Sequence, residues 1–392
     1  MKNNGILFRV ASGLLAAALT LSLTACGGSN SNSDASAAAD SADSGATHLR
    51  LIYSPSLCAA PMYIAIENGY FEDEGLDIEQ VTVDAAHVSE AIGADQVDVG
   101  MGLIGKMLQP LENGLPIKFT TGLHTGCTKL LVPGDSDIKS ITDLKGKKIG
   151  VPGLADAATV VSKRSLSAAG IGVTEQNMEV EFSVYSRNDL PQALENGAVD
   201  AIALGDPTAS IAEEQYGLTA LIDTATDPEY KDEYCCAAFV TSKLAAENPA
   251  AAAAFTRAVQ KASQWVQENP DETAKIIVDK QYISGDVDFC AQILKTYNYK
   301  PSVQGGYDAL KLNAEELSKI GVLKEGTDAQ KFADNAYIFF DDVPDAPEAS
   351  SGTTAAAPSA SASSVSFTEA AETEENDCCG GKIEKPDTTR KA

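Results

Sequence analysis

The sequence predicts an α/β protein with two similar lobes, each built on an open sheet, and a cleft between them. Short apolar runs alternate with amphipathic segments along residues 48–345, as in repeated β-α-β units. One half of this stretch repeats the order of elements found in the other half. The stretch is also longer than one hydrophobic core usually supports, which favours two lobes.

The first lobe is predicted to begin with a strand at residues 48–54 and a helix over 60–75 that ends in a glycine. A second strand covers 76–83, and residues 87–102 are typical of a helix, a turn and a strand. Alternating apolar residues indicate the strands, and Ala, Leu and Ile at helical spacing indicate helices that cover a sheet.

The second lobe repeats this plan. After a strand that ends near residue 151, a helix covers 158–172, a strand covers 178–185, and 188–206 is again helix, turn and strand. Residues 89–102 align with 191–205, and each segment opens its strand with Val-Asp. We therefore predict an internal duplication of a β-α-β-α-β half.

The remaining segments join the two lobes and return the chain to the first one. A helical face with Phe255, Val259 and Trp265 is typical of packing against a core. The predicted segments are a short helix, basic turn and strand at 139–151, a strand and two long helices at 234–277, helices at 286–296 and 305–320, and crossover strands near 128–134 and 222–238.

Both ends of the chain are expected to lie outside the folded body. Residues 1–25 have a positive start, a short apolar stretch and a small-residue cleavage pattern, which is typical of a signal peptide. The LTAC sequence that ends at Cys26 resembles a bacterial lipobox, which implies a lipidated Cys26 in the mature protein. The alternative is a plain secretory signal with an incidental cysteine. Residues 26–47 are expected to be a flexible linker, and 346–392 a disordered low-complexity tail.

The formal net charge of the chain is −27, which argues against a nucleic-acid partner. Apart from the signal, the sequence contains no long apolar span. We expect a body that is anchored by lipid to the outer face of the cytoplasmic membrane.

Two segments carry a family resemblance. They are NGYFEDEGLDIE at 68–79 and DLKGKKIGVPG at 143–153, within a similarity that covers residues 48–340. The chain resembles the nitrate/taurine-type substrate-binding proteins of ABC importers, a superfamily that includes aliphatic-sulfonate receptors and receptors for thiamine-pyrimidine precursors. The resemblance implies a type II periplasmic-binding-protein fold of two Rossmann-like lobes that close about a hinge. It also implies a monomer that delivers a small-molecule solute to a membrane permease with a cytoplasmic ATPase.

On this fold the first lobe is expected to comprise 48–130 plus 235–345, and the second 131–234. Ligands of such sheets bind at the carboxyl ends of the strands, where loops lead into helices. The loops predicted to line the cleft lie within 54–61, 100–105, 122–127, 152–159, 205–210 and 234–236. The predicted ligand-binding residues are Ser56, Leu57, Cys58, Gly102, Leu103, His124, Thr125, Cys127, Leu154, Ala155, Asp156, Asp206, Cys235 and Cys236.

Cysteines occur in three of these segments, so the fold is expected to bring thiols from distant parts of the chain together. Three interpretations stay open: plain packing of small buried side chains, a Cys58–Cys127 disulfide, and direct contact with a ligand. Cys235 and Cys236 are adjacent in a strand, which predicts that they point to opposite faces. Thiolates and imidazole suit soft metals or sulfur-containing solutes, so Cys58, His124 and Cys127 are candidate metal ligands.

The second lobe offers less for an anion. The helix that follows residue 152 has Leu154 where family receptors place a small hydroxyl residue, and Asp156 is either its N-cap or a ligand contact. None of the predicted loops contains arginine, the usual bidentate partner of an oxyanion. These features favour a neutral or cationic solute. Tyr53, Tyr63 and Phe239 could stack on a flat heterocycle, although two of the three are expected to be core.

The sequence therefore predicts a transport receptor without a cofactor. The main alternatives are a receptor for a soft metal or thiol-reactive solute, and an enzyme similar to thiamine-pyrimidine synthases. Those synthases carry a cysteine-rich iron motif near the segment where this chain has YCCAAF at 234–239, and only the first two cysteines correspond. A structural or adhesive lipoprotein is a third possibility. No Ser-His-Asp set, phosphate loop or CxxC pattern is readable, so we predict that the protein is not an enzyme.

Overall fold

A computed structural model describes residues 45–83 and 87–347. The predicted signal peptide, the lipidation site Cys26, nearly all of the linker and the tail beyond residue 347 lie outside the described residues. Within the described part of the chain, no helix is long and apolar enough to cross a membrane.

The amino-terminal part of the chain alternates strands and helices as predicted. The exception is the helix predicted over 60–75, which divides into two because Gly69 adopts a left-handed φ of 71°. The elements are β1 Thr47–Tyr53, α1 Ala60–Glu67, α2 Tyr70–Asp73, β2 Leu76–Thr82, α3 Val88–Gly93, β3 Val99–Leu103, α4 Ile104–Glu112 and β4 Ile117–Thr125, with a 3₁₀ turn at Leu57–Ala59.

The middle part repeats the alternation and adds one small ribbon of two short strands. Its elements are β5 Thr128–Pro133, β6 Lys148–Val151, α5 Ala157–Ala168, β7 Val173–Thr174, β8 Asn177–Met178, β9 Glu181–Val184, α6 Leu190–Glu195, β10 Ala201–Gly205, α7 Thr208–Tyr216 and β11 Leu218–Asp223, with a 3₁₀ turn at Ile141–Leu144.

The last part contains one strand followed by helices, which confirms the helices predicted within 234–320. Its elements are β12 Tyr234–Thr241, α8 Ser242–Glu247, α9 Pro249–Glu268, α10 Pro270–Asp279, α11 Val287–Thr296, α12 Val303–Lys319 and α13 Ala329–Ala336.

The two large sheets have the same topology, which confirms the predicted duplication. Sheet A has the strand order β2-β1-β3-β12-β4, and sheet B has the order β9-β6-β10-β5-β11. In each sheet the first three strands are parallel and the last two run antiparallel to their neighbours. The fourth strand of each sheet is a crossover strand. After β4 of sheet A the chain enters sheet B as β5, and after β11 of sheet B it returns to sheet A as β12.

The helices bury apolar faces against these sheets. Phe255 on α9 is fully buried and stacks on Phe71 with ring centroids 5.8 Å apart. Val259 is also fully buried, whereas Trp265 is partly buried and packs against the margin of the core. Burial of such a helical face supplies most of the stability of helices in folded proteins.

Candidate functional site

Strand β4 runs through part of the segment that the sequence assigned to a loop. Gly122 lies opposite Ala237 and His124 lies opposite Cys236 in the pairing of β4 with β12. The predicted loop is therefore wrong over residues 122–125, which belong to a buried strand. The partner strand lies more than 100 positions away, and such pairing leaves no local signal in a short polar segment.

The chain passes from sheet A to sheet B at residues 126 and 127. Gly126 has a φ of 67°, and a Cβ atom added there would lie 2.4 Å from the Cα of Ala225, so only glycine fits. The Cys127 amide donates to Thr224 Oγ1 at 3.1 Å, and the Cys127 carbonyl accepts from the Asp206 amide at 2.9 Å. Cys127 is therefore held by the chain segments that follow strands β10 and β11.

Cys235 and Cys236 occupy an irregular stretch of β12. The pairing with β4 shifts register on both sides of Cys236, which marks a bulge. Their sulfur atoms are 3.7 Å apart, so the prediction that they point to opposite faces is wrong. A bulge interrupts the strict alternation of side chains, and this allows both thiols to reach the same place.

The structure brings the thiols and one imidazole together. The sulfur atoms of Cys127 and Cys235 are 3.3 Å apart, and Cys235 Sγ lies 3.5 Å from His124 Nδ1. The ligand atoms of Cys58, Cys127 and Cys236 all lie within 4.8 Å of one another, and so do those of His124, Cys235 and Cys236. We call these five residues the thiol cluster. This confirms the prediction that thiols from distant segments meet, and all four cysteines are free thiols.

The cluster is almost closed to solvent. Cys236 and His124 are 0% exposed, Cys127 is 3% exposed and Cys58 is 7% exposed, while Cys235 is half-buried. In the part of the chain that the structure describes, His124 Nε2 is buried without a hydrogen-bond partner. Buried polar atoms are nearly always satisfied, so this nitrogen requires an explanation.

Hydrogen bonds within the cluster separate the acidities of its thiols. Burial raises the pKa of Cys235, but hydrogen bonds from Cys127 and Cys236 lower it by more, so that this pKa is about 7. The hydrogen bond with Cys235 raises the pKa of Cys127, and burial raises the pKa of Cys236 well above its usual value. Cys235 therefore ionises first, with neighbouring S–H groups as donors.

The loop after β1 holds Cys58 in place. Ser56 caps the 3₁₀ turn, since its Oγ accepts from the Cys58 amide at 3.2 Å. The Leu57 carbonyl accepts a hydrogen bond of 2.7 Å from the Tyr299 hydroxyl. Ser56 thus supports the cluster through its side-chain oxygen, and Leu57 through its backbone carbonyl.

Tyr297 and Tyr299 are site residues that the sequence reasoning missed. The Tyr297 ring stacks on His124 with centroids 5.2 Å apart and planes 8° apart, and the Tyr299 ring lies 4.9 Å from it. Both side chains are buried. The only available signal was the pair of aromatic residues in TYNY at 296–299, immediately after a predicted helix.

Tyr53, Tyr63 and Phe239 are used for packing. Tyr63 stacks on Tyr282 at 4.4 Å, and the Tyr53 hydroxyl donates to the Tyr282 carbonyl at 2.9 Å. Phe239 is fully buried and packs edge-on against Phe119.

On the sheet B side, Asp156 is the N-cap of α5. Its Oδ1 accepts from the Ala158 amide at 3.0 Å, and its Oδ2 accepts from Arg187 Nη2 at 2.6 Å. The sequence reasoning missed Arg187, which lies in the loop that follows β9 at the same edge of the sheet. Leu154 and Ala155 are exposed at this edge. The edge therefore does contain an arginine, paired with a carboxylate.

Asp206 lies at the end of β10, before a cis bond to Pro207. Burial raises its pKa to about 6, although the charge of Lys129 and hydrogen bonds from Ser210 act against this shift. The Ser210 amide and hydroxyl donate to Asp206 Oδ1 at 2.9 and 2.8 Å. Lys129 itself pairs with Glu213 at 2.7 Å.

The remaining predicted residues lie beside the cluster in sheet A. Leu103 pairs with Cys236 and Gly102 with Ala237 in the register of β3 and β12. Thr125 is buried at the end of β4, and its carbonyl lies 3.3 Å from His124 Nδ1. Cys290, which the sequence predicts to be buried on a helix, is 4% exposed on α11.

Comparison with solved structures supports the architecture. The periplasmic aliphatic sulphonate binding protein SsuA from Escherichia coli aligns with a TM-score of 0.61 and 17% identity, over 73% of this chain and 91% of that one. The likeness shows the fold, which confirms the predicted periplasmic-binding-protein architecture.

Two relatives are similar in sequence. A protein of Bacillus subtilis (strain 168), provisionally named an aliphatic sulfonates-binding protein, is 25% identical over 228 residues, which cover 56% of this chain and 66% of that protein. The formylaminopyrimidine-binding protein of Halalkalibacterium halodurans is 23% identical over 238 residues, which cover 59% of this chain and 69% of that protein. The chain thus spans about two thirds of the length of these relatives.

A family model described as NMT1/THI5 like matches residues 58–273. The matched stretch begins at a thiol of the cluster, includes both crossover strands and covers more than half of the 392 residues. Because the family model matches more than half of the chain and the fold agrees with it, this protein belongs to the NMT1/THI5-like family.

Proposed function

We propose that the protein is the extracytoplasmic solute-binding lipoprotein of an ABC importer. The observation that carries this proposal is the pair of sheets with one topology, which are joined by exchanged crossover strands. In such a pair, loops at the carboxyl ends of the strands supply ligand contacts from both sides. The family and its relatives named for solute binding support the same function.

In this proposal, the two lobes comprise 48–130 plus 235–345 and 131–234. They close about the crossovers, one of which passes through Gly126 and Cys127. The solute is a small molecule held at the edge where the thiol cluster and Asp206 meet, and the proposed contact residues are the fourteen named from the sequence. A closed, liganded form would then deliver the solute to a permease driven by a cytoplasmic ATPase.

We further propose that residues 1–25 are removed as a signal peptide and that Cys26 carries lipid, so that the protein acts as a membrane-anchored monomer. Replacing Cys26 with Ser should then release the protein from the membrane fraction into the soluble fraction. Retention of the variant at the membrane would contradict a lipid anchor.

The surroundings of the two basic side chains in the site, His124 and Arg187, favour binding without catalysis. His124 is fully buried and packs against Tyr297 and Tyr299, so we assign it the role of a solute contact and not that of a general base. Arg187 is paired with Asp156. A general acid or base has to exchange a proton with the substrate and then with solvent, which neither of these two groups is placed to do.

The test is to purify the full chain from its own host and examine it by native mass spectrometry. We expect one small solute per chain, which is released unchanged on denaturation. Added solute should raise the free energy of unfolding by about 2.7 kcal/mol at a concentration 100 times the dissociation constant. Chemical conversion of the solute, or the absence of any stabilising solute among sulfonates, pyrimidines, nitrate and metal ions, would contradict the proposal.

A further inference from the structure

The thiol cluster has a donor set that proteins use for soft metal ions. It contains four thiols and one imidazole, contributed by the loop after β1, the end of β4, the crossover to β5 and the start of β12. Thiolate and imidazole ligands select zinc and monovalent copper, whereas magnesium and calcium require oxygen ligands. No carboxylate belongs to either of the two ligand sets found here among the described residues.

The spacing of the donors suits one small ion. Zinc–sulfur bonds of about 2.3 Å in a tetrahedral site separate the sulfur atoms by about 3.8 Å. The sulfur atoms of Cys235 and Cys236 are 3.7 Å apart, and those of Cys127 and Cys235 are 3.3 Å apart. Cys58 lies within 4.8 Å of both Cys127 and Cys236. The two ligand sets share Cys236, so side-chain movements of about 1 Å would let donors from both sets bind one ion.

Packing of small buried side chains explains the arrangement of the thiol cluster less well than metal binding does. A core requires only small apolar side chains at these positions, and alanine already occupies neighbouring positions of β12. The bulge at Cys236 is a local cost that brings the second of two adjacent thiols to the same place as the first. His124, in addition, keeps a buried ring nitrogen without a partner within the described residues.

We propose that Cys58, Cys127, Cys235, Cys236 and His124 form the binding site of one thiophilic metal ion, Zn²⁺ or Cu⁺, and that this ion is the solute or its core. The inference rests on the proposed function, because the cluster occupies the edge at which that function places the solute. Thiols that ligate the ion lose their protons to solvent, and the ion compensates part of the buried negative charge.

The test is equilibrium metal binding to the reduced full chain under anaerobic conditions, with Zn²⁺ and Cu⁺ offered separately in competition with a chromophoric chelator. We expect one ion per chain. Cys127→Ser and Cys235→Ser should each weaken binding at least about 100-fold, since loss of a ligand exceeds the effect of losing an outer-shell partner. Cys290→Ser is the matched control, because Cys290 is buried on α11 outside the cluster, and it should bind like the wild type.

Circular dichroism of each variant separates loss of the site from loss of the fold. If Cys127→Ser does not fold, the half-buried Cys235 provides the deciding variant. Failure of the folded, reduced wild type to retain either ion would overturn the inference, as would equal weakening by Cys290→Ser. A Cys127–Cys235 disulfide whose reduction restores no metal binding would also overturn it.

The two proposals can fail separately. Thermal stabilisation by a sulfonate or an aminopyrimidine in the absence of metal would contradict the metal site and would still support the receptor function. A folded chain that binds neither metal ions nor organic solutes would refute both.

Discussion

Sheets A and B share one topology, yet the edges that face the proposed solute differ in chemistry. At the edge of sheet A lie four thiols and an imidazole, enclosed by Tyr297 and Tyr299. At the edge of sheet B lie ionic groups, with Asp156 paired to Arg187 and Asp206 buried nearby. Strand order is preserved because it determines the core, whereas residues at strand ends can change without altering it.

This difference between the two edges indicates which of them is expected to select the solute. On sheet B the arginine that could hold an anion already has a carboxylate partner at 2.6 Å. On sheet A the donors are soft and mostly neutral, and one ring nitrogen has no partner within the described residues. A solute that gains most from sheet A is therefore soft and electron-accepting, which agrees with the neutral or cationic solute that the sequence favours.

The largest expected effect concerns a polar bridge between the two halves of the molecule. Arg164 on α5 donates to both oxygens of Glu233 at 2.7 and 2.9 Å, and Asn313 on α12 donates to Glu233 at 2.7 Å. Arg164→Ala leaves the nearly buried carboxylate of Glu233 without its cationic partner and should lower the free energy of unfolding by about 3–5 kcal/mol. Urea titration measures this loss. Lys275→Ala, which removes an exposed pair with Asp279, is the control and should change little.

If Arg164→Ala were as stable as the control, the two halves would not depend on this bridge. The two sheets would then belong to independent units, each stabilised by its own core.

A second, smaller effect tests the ionic edge of sheet B. The pKa of Asp206 is about 6 in the folded protein, above the ordinary value of 3.8. A carboxyl with a raised pKa takes up a proton on folding, so its contribution to stability is complete below pH 3.8 and disappears as the pH rises through 6. Relative to Asp206→Asn, the wild type should therefore lose about 2 kcal/mol of stability between pH 4 and 7.

Urea titrations of both proteins at several pH values measure this difference. A constant difference over the whole range would mean that Asp206 is solvated and ionised in the folded protein, and that the sheet B edge is more open than the structure indicates.

The smallest effect compares the caps that occupy equivalent places after β1 and β6. Asp156 caps the twelve-residue helix α5, and Ser56 caps only a 3₁₀ turn of three residues. Asp156→Ala should cost about 1 kcal/mol of stability, and Ser56→Ala about 0.5 kcal/mol. If the thiol cluster holds the solute, Ser56→Ala should also weaken metal binding by displacing Cys58, and it should do so more than Asp156→Ala does. The reverse order of effects on binding would assign the solute to sheet B.

Much of the architecture could be predicted from local patterns. The strand at 48–54 was found as β1 Thr47–Tyr53 and the helix at 286–296 as α11 Val287–Thr296, because each buries a regular series of apolar side chains. Strand β4 was missed over 122–125, since its polar residues are stabilised by pairing with β12. The break at Gly69 also escaped prediction, because an apolar pattern continues across it.

The candidate site divides in the same way. The fold that the duplication and the family resemblance implied was enough to place Cys58, Cys127 and Cys235 at one edge. The carboxyl ends of parallel strands meet there, and the antiparallel strand β12 begins there. The direction of Cys236, the pairing of Arg187 with Asp156, and the stacking of Tyr297 on His124 had to await the folded chain. Each depends on a bulge, a loop conformation or a contact between residues more than 30 positions apart, and side-chain direction at such places is determined by packing rather than by local sequence.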